Sequence, residues 1–259
     1  MSGYTIKKFP AVRNLVSDVM WLSRKKSHIS SYTRFIINDT RKSLKAYNDG
    51  RSEKISLLSY IISCYAESLV KFKDFNSFRK GKKIYVFDNV DVSVIIEREF
   101  EGSRIPMNYI IRAANKKTLI EINSELLTAK NSPLGQVIFN KNIKLYSLLP
   151  LFIRHRIISF IANRPKQACK YFGTTGVTAV HTILRRELWG QPVSPVTVAL
   201  TLGSITRDNG NEFINITLTA DHELVDGAEG ARFVNYFGDL VESGYGLNQL
   251  LSELNFEKP

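Results

Sequence analysis

Thr219-Ala220-Asp221-His222-Glu223-Leu224-Val225-Asp226-Gly227-Ala228 is the stretch around which this chain is organised. Ahead of it, Phe213 to Thr219 alternates apolar and polar residues, the period of a half-buried strand. Behind it, Ala231, Val234, Phe237, Leu240 and Val241 recur at helical spacing, and Asp226 is a favourable residue to cap that helix. His222 therefore stands in a turn between a strand and a helix, able to present an imidazole to a cleft. An imidazole titrates near neutral pH and suits general-base work, although a lone histidine is more often structural. Metal binding by His222 and Asp226 is not expected, because a spacing of four brings two ligands together only on a continuous helix.

Working outward, 259 residues suffice for a substantial core, and the chain carries a formal net charge of +12. Such a balance favours anionic partners, but the cations are spread along the chain and no nucleic-acid motif accompanies them. Cys64 and Cys169 form neither a disulfide framework nor a metal-binding spacing. The first ten residues lack the apolar core of a signal peptide, so a cytoplasmic location is expected.

In chain order, Val12, Leu15, Val16, Val19 and Met20 mark one helix face, with Arg13 and Asp18 off that stripe. A strand is expected near 32–37, a helix from Asp39 or Thr40 to the Asn48-Asp49-Gly50 turn, and a deeply packed helix over 56–72. Strands follow at 83–87, 90–96 and 104–112, then a helix through Leu119, Ile122 and Leu126. The segment 145–161 is apolar but interrupted by Arg154-His155-Arg156, which is too charged for a membrane span. Burial within the protein or its oligomer is expected for it, ahead of contact with a membrane surface. Gly173 to Val180 reads as a strand whose glycines allow close backbone approach, and 196–206 as another. Asn209-Gly210 suits a hairpin turn that delivers the last strand to His222. With no repeat or linker, one domain over 1–259 is expected.

His222-Glu223-Leu224-Val225-Asp226-Gly227 resembles the His-x-x-x-Asp-Gly signature of the CoA-dependent acyltransferases. That family includes chloramphenicol acetyltransferase and the catalytic domains of 2-oxoacid dehydrogenase dihydrolipoyl acyltransferases. The dehydrogenase-type version is the more similar, through Asp221-His222, Asp226-Gly227-Ala228 and Ala231-Arg232-Phe233. Phe72 to Asn76, Ile105 to Asn115 and Gly173 to Thr178 resemble further family segments in order, over about residues 9–243.

The resemblance implies an α/β fold, a mixed β-sheet covered by α-helices in a two-layer sandwich, assembled as a homotrimer with interfacial active sites. It implies acyl transfer between acyl-CoA and a thiol or hydroxyl, with His222 as general base and Thr178 as donor to the tetrahedral oxyanion. Asp226 would support the corner structurally, with Arg13 as its partner. Coenzyme A enters as substrate, no metal is implied, and no residue is assigned to bind the cofactor. A lipoyl or subunit-binding domain is not expected in this chain, so any lipoyl group would arrive on a separate carrier protein. Glu223, Ala179 and His181 depart from the family pattern. A non-catalytic trimeric scaffold that keeps the fold is the alternative.

Overall fold

The computed structural model describes residues 3–6, 9–100, 103–131, 143–184 and 186–256. Its centre is a six-stranded mixed sheet with the order β1 (His28–Ile36), β8 (Asn211–Asp221), β7 (Val198–Asp208), β6 (Thr175–Ala179), β4 (Val92–Phe100) and β5 (Ser103–Ile111). β6 runs parallel to both its neighbours, and the other pairings are antiparallel. β2 (Ser77–Lys80) and β3 (Lys83–Val86) form a separate hairpin.

Strand alternation sorts the two faces of the sheet. Val92, Val94, Val177, Val198, Leu200, Ile214, Ile216 and Leu218 point into the main core. Against them pack α2 (Asn38–Asn48), α3 (Leu57–Lys71), α4 (Leu119–Asn131), α8 (Gly227–Glu242) and α9 (Leu247–Phe256). Ser56 caps α3 by accepting a hydrogen bond from Ser59 N at 3.1 Å. Tyr65, fully buried on α3, meets Phe233 and Phe237 edge-on with centroids 6.0 and 5.7 Å away. Its hydroxyl lies 2.6 Å from Thr175 Oγ1, which donates to Val198 O, so one polar chain anchors β6 from within the core.

The opposite face is polar, carrying Ser93, Thr178, Thr201, Asn215, Thr217 and Thr219. One end of it is covered by α1 (Ala11–Ser23), α6 (Leu151–Ala162) and α7 (Pro165–Phe172), where Ile158, Ala168, Phe172, Val196 and Ala199 make a second apolar cluster. A short helix, α5 (Ile143–Leu148), precedes α6, and Pro150 begins the new helix as its cap. Among the described residues, no helix is long and apolar enough to cross a membrane.

Within the single chain, the segment 145–161 buries its central arginine and leaves its largest apolar side chains outside. Arg154 is 8 % exposed and its Nε lies 3.1 Å from Asp18 Oδ2; Asp18, placed off the apolar stripe of α1 in the sequence reading, is completely buried. Tyr146 donates to the same carboxylate at 2.8 Å, and His155 stacks on Trp21 with centroids 3.8 Å apart. The inward positions are thus occupied by a charged pair, and Leu145, Leu148, Leu151, Phe152 and Phe160 are left on the surface of the chain.

Candidate active site

β7 and β8 are joined by Asn209 and Gly210, both at positive φ (49° and 80°), the geometry of a two-residue hairpin with matched strand twist. The register carries β8 to Asp221, opposite His28 of β1, and the chain turns there into α8. His222 N donates to Ser27 O at 2.7 Å, while Leu224 N and Val225 N both donate to Asp221 O. The carboxylate of Asp221, only 4 % exposed, takes an ion pair from Lys26 Nζ at 2.7 Å. Glu223 faces outward and pairs with Arg79 of the β2–β3 hairpin. The corner is therefore fastened on both sides: to the end of α1 through Ser27 and Lys26, and to the hairpin through Arg79.

The imidazole of His222 is left uncommitted by that fastening. It is about half exposed, and its Nδ1 lies 3.9 Å from Asp226 Oδ1, too long for a hydrogen bond. Asp226 is the residue preceding α8, but its side chain makes no capping bond and is 90 % exposed. Arg13 is exposed on α1 and forms no ion pair with Asp226 within the chain. The structure thus brings Asp226 to His222, but not Arg13 to Asp226.

Thr178 sits on the polar face of β6, at the wall of a cavity of about 510 Å³ between α1, β4, β5 and the loop leading to β7. Leu15, Val19, Ile95, Pro106, Phe172 and Pro195 contribute to a lining without a charged side chain. Ser93 and Asn108 also reach this wall, but they hydrogen-bond to each other. Among the described residues the Thr178 hydroxyl makes no hydrogen bond, so a donor remains available beside an uncharged space. Ala179 begins the exit from the strand. His181, in the turn that follows, is half-buried, and burial lowers its pKa from the ordinary value, with Lys130 and Arg41 adding to the effect.

β6 itself is placed by a device that the sequence hid. Asp91, just before β4, accepts from Arg112 Nη1 at 2.7 Å and Ala113 N at 2.8 Å, and its carbonyl accepts from Thr174 N at 2.8 Å. Gly173 has φ +75°, and a Cβ there would lie 2.5 Å from Asp91 O. The close approach expected of this glycine is therefore to the chain's own backbone. Neither the Lys26–Asp221 pair nor the Asp91–Arg112 pair is legible in the sequence, because each joins residues from separate elements.

Thr178 and His222 do not meet within one chain. Thr178 pairs with Thr201 and Thr201 with Thr217, so His222 lies five residues further along and two strands across. At standard strand dimensions that is roughly 16 Å along and about 10 Å across the sheet. Both cysteines are poor nucleophiles, because burial pushes the thiols of Cys64 and Cys169 up to about 12. Among the described residues, no group of three or more His, Cys, Asp or Glu side chains could hold a metal ion.

A six-stranded mixed sheet packed against helices, with a histidine corner after its last strand, is the chloramphenicol acetyltransferase-like α/β fold. A solved chloramphenicol acetyltransferase superposes with a TM-score of 0.55 at 12% identity, covering 92% of this chain and 98% of that one. The chain belongs to the family described as 2-oxoacid dehydrogenases acyltransferase (catalytic domain), whose model matches residues 2–132. The His222 corner and Thr178 lie beyond that match.

Among curated relatives, the dihydrolipoyllysine-residue acetyltransferase component of the pyruvate dehydrogenase complex of Rickettsia felis is 28% identical over 209 residues. These are 77% of this chain and 43% of the relative, so the chain spans less than half the length of this relative. The probable dihydrolipoamide acetyltransferase of Listeria monocytogenes shares the fold with a TM-score of 0.70 at 18% identity, over 94% of this chain and 97% of that one. A truncated catalytic core of the 2-oxoacid dehydrogenase multienzyme complex from Thermoplasma acidophilum gives the same score at 14% identity, over 93% and 99%.

Proposed function

We propose that this chain is a CoA-dependent acyltransferase that moves an acyl group between acyl-CoA and a thiol or hydroxyl acceptor, working as a homotrimer with active sites between subunits. The observation that carries the reading is the unpartnered Thr178 hydroxyl beside an uncharged cavity of about 510 Å³. The separation of Thr178 and His222 within one chain supports the trimer, since a base and an oxyanion donor serving one carbonyl must then come from two subunits.

His222 takes the proton from the acceptor thiol or hydroxyl. The acceptor's sulfur or oxygen then bonds to the thioester carbon, and the tetrahedral oxyanion accepts a hydrogen bond from Thr178 that strengthens as negative charge develops. Collapse breaks the carbon–sulfur bond to CoA, and the departing thiolate recovers the proton from His222. In this reading Asp226 orients the imidazole from the Nδ1 side and touches no substrate. Arg13, exposed and unpaired with Asp226 in the single chain, would meet that carboxylate only on assembly. A dihydrolipoyl acceptor would be presented by a separate carrier protein.

The test is release of CoA thiol by purified protein given acetyl-CoA with dihydrolipoamide, or with small alcohols and thiols, alongside His222→Ala and Thr178→Ala. Turnover lost in both variants supports the reading. No turnover with any acceptor by a folded trimer leaves the non-catalytic scaffold as the function.

A further inference from the structure

The outward face of α5 and α6 exposes six large apolar side chains, and these lie in a part of the chain with a singular charge composition. Between Glu125 and Glu187 the sequence has no Asp or Glu and ten Lys or Arg. The cations of the protein are spread, but its acids are not, so this tract holds most of the net charge of +12.

On α6, Phe152, Arg156 and Phe160 follow one another at spacings of four and are all exposed. The Arg164 guanidinium lies over the Phe160 ring at 3.3 Å, and Lys166 and Lys170 of α7 are exposed beyond it. Leu148 is 80 % exposed and Phe152 68 %. The Asp18–Arg154 pair fixes which way this helix faces: turning Phe152 inward would pull Arg154 away from a fully buried carboxylate. The apolar ridge is thus held outward by the packing of α1.

We infer that the α5–α6 ridge is a docking site for an anionic lipid surface, with Leu148, Phe152 and Phe160 entering the headgroup boundary and Arg156, Arg164, Lys166 and Lys170 contacting lipid phosphates. Apolar and aromatic groups flanked by cations, without acids, are the composition of helices that lie in a membrane interface. A second copy meeting this face with the same face would set cations against cations, which argues against a two-fold contact through the ridge. Each cation near an anionic surface strengthens binding roughly fivefold.

Flotation of the full chain with vesicles of phosphatidylcholine, with and without phosphatidylglycerol, tests this directly. Binding at least tenfold stronger to the anionic vesicles is expected. Phe152→Ser with Phe160→Ser should cut it tenfold or more, with an unchanged thermal transition, and Arg156→Gln with Lys166→Gln should reduce both binding and its salt dependence. Absence of flotation overturns the inference, as does flotation indifferent to the Phe substitutions. So does a change in subunit number caused by those substitutions, which would make the ridge an interface between copies. Equal retention on soluble polyglutamate would assign it instead to an acidic protein.

Discussion

Lys26 Nζ lies 2.7 Å from Asp221 Oδ2, one residue ahead of His222, and the carboxylate is only 4 % exposed. This pair joins the end of α1 to the end of β8, so it sets the corner from which His222 projects. Asp221→Ala should leave a half-buried ammonium without its partner and cost about 3 kcal/mol. Urea unfolding monitored by far-ultraviolet circular dichroism measures that loss, and a cost below about 1 kcal/mol would show the pair to be dispensable.

Removing the imidazole or the hydroxyl should act on rate rather than on folding. His222 is half exposed and Thr178 unpartnered, so His222→Ala and Thr178→Ala should keep the thermal transition while lowering kcat. Drops of about 10²–10⁴ for the base and roughly 10² for the oxyanion donor are expected in a CoA-release assay. Thr178→Ser, which keeps the hydroxyl, should restore most of the activity.

Gly173→Ala should be severely destabilising although it adds one methyl group. The residue holds φ +75°, and the new Cβ would stand 2.5 Å from Asp91 O, which also receives the hydrogen bond from Thr174 N. A loss of about 2–4 kcal/mol is expected from backbone strain together with the clash. Differential scanning calorimetry reads it, and Gly210→Ala, at positive φ in open space, should cost less.

The outer pair of the corner should contribute little. Arg79 and Glu223 are each nearly half exposed, and solvent screens their attraction. Arg79→Ala should change stability by less than about 1 kcal/mol, as measured by chemical denaturation. The ion pair with Arg79 accounts for where the Glu223 charge goes.

Alkaline instability follows from the two thiols. In the unfolded chain they ionise near 9.0, whereas in the folded protein burial holds both protonated up to about 12. Unfolding therefore releases protons in this window, and the stability contributed by the protonated thiols is present below pH 9 and lost as pH rises toward 12. The urea midpoint should fall across that range, and less steeply in Cys64→Ala with Cys169→Ala. Neither thiol should react with a disulfide reagent at pH 8 while the chain is folded.

Much of the architecture was legible because local signals agreed with burial. The helix expected over 56–72 is α3 over Leu57–Lys71, the Asn209-Gly210 hairpin is where its positive-φ residues demanded it, and the strand before His222 is β8. The resemblance read from the His222 corner led to the same fold and family that the structure and comparisons define. What stayed hidden depends on partners distant in sequence. The burial of Asp18, which stands off the apolar stripe of α1, was hidden because its partners, Arg154 and Tyr146, lie more than a hundred residues away. Which face of 145–161 turns inward stayed hidden for the same reason, since apolar periodicity cannot reveal that a buried carboxylate will claim the arginine.

The two-residue loop between β7 and β8 bears on the order in which this protein folds. These are the longest strands, eleven residues each, and their ends are joined by only two residues. Their pairing demands little loop-closure entropy, whereas β1 and β6 must wait for distant segments to arrive. The hairpin should therefore form early, so that the strand leading to His222 is settled before the cavity beside Thr178 exists. Stopped-flow φ-values near one for Ile216→Val and near zero for Val177→Ala on β6 would show that order, and the reverse pattern would refute it.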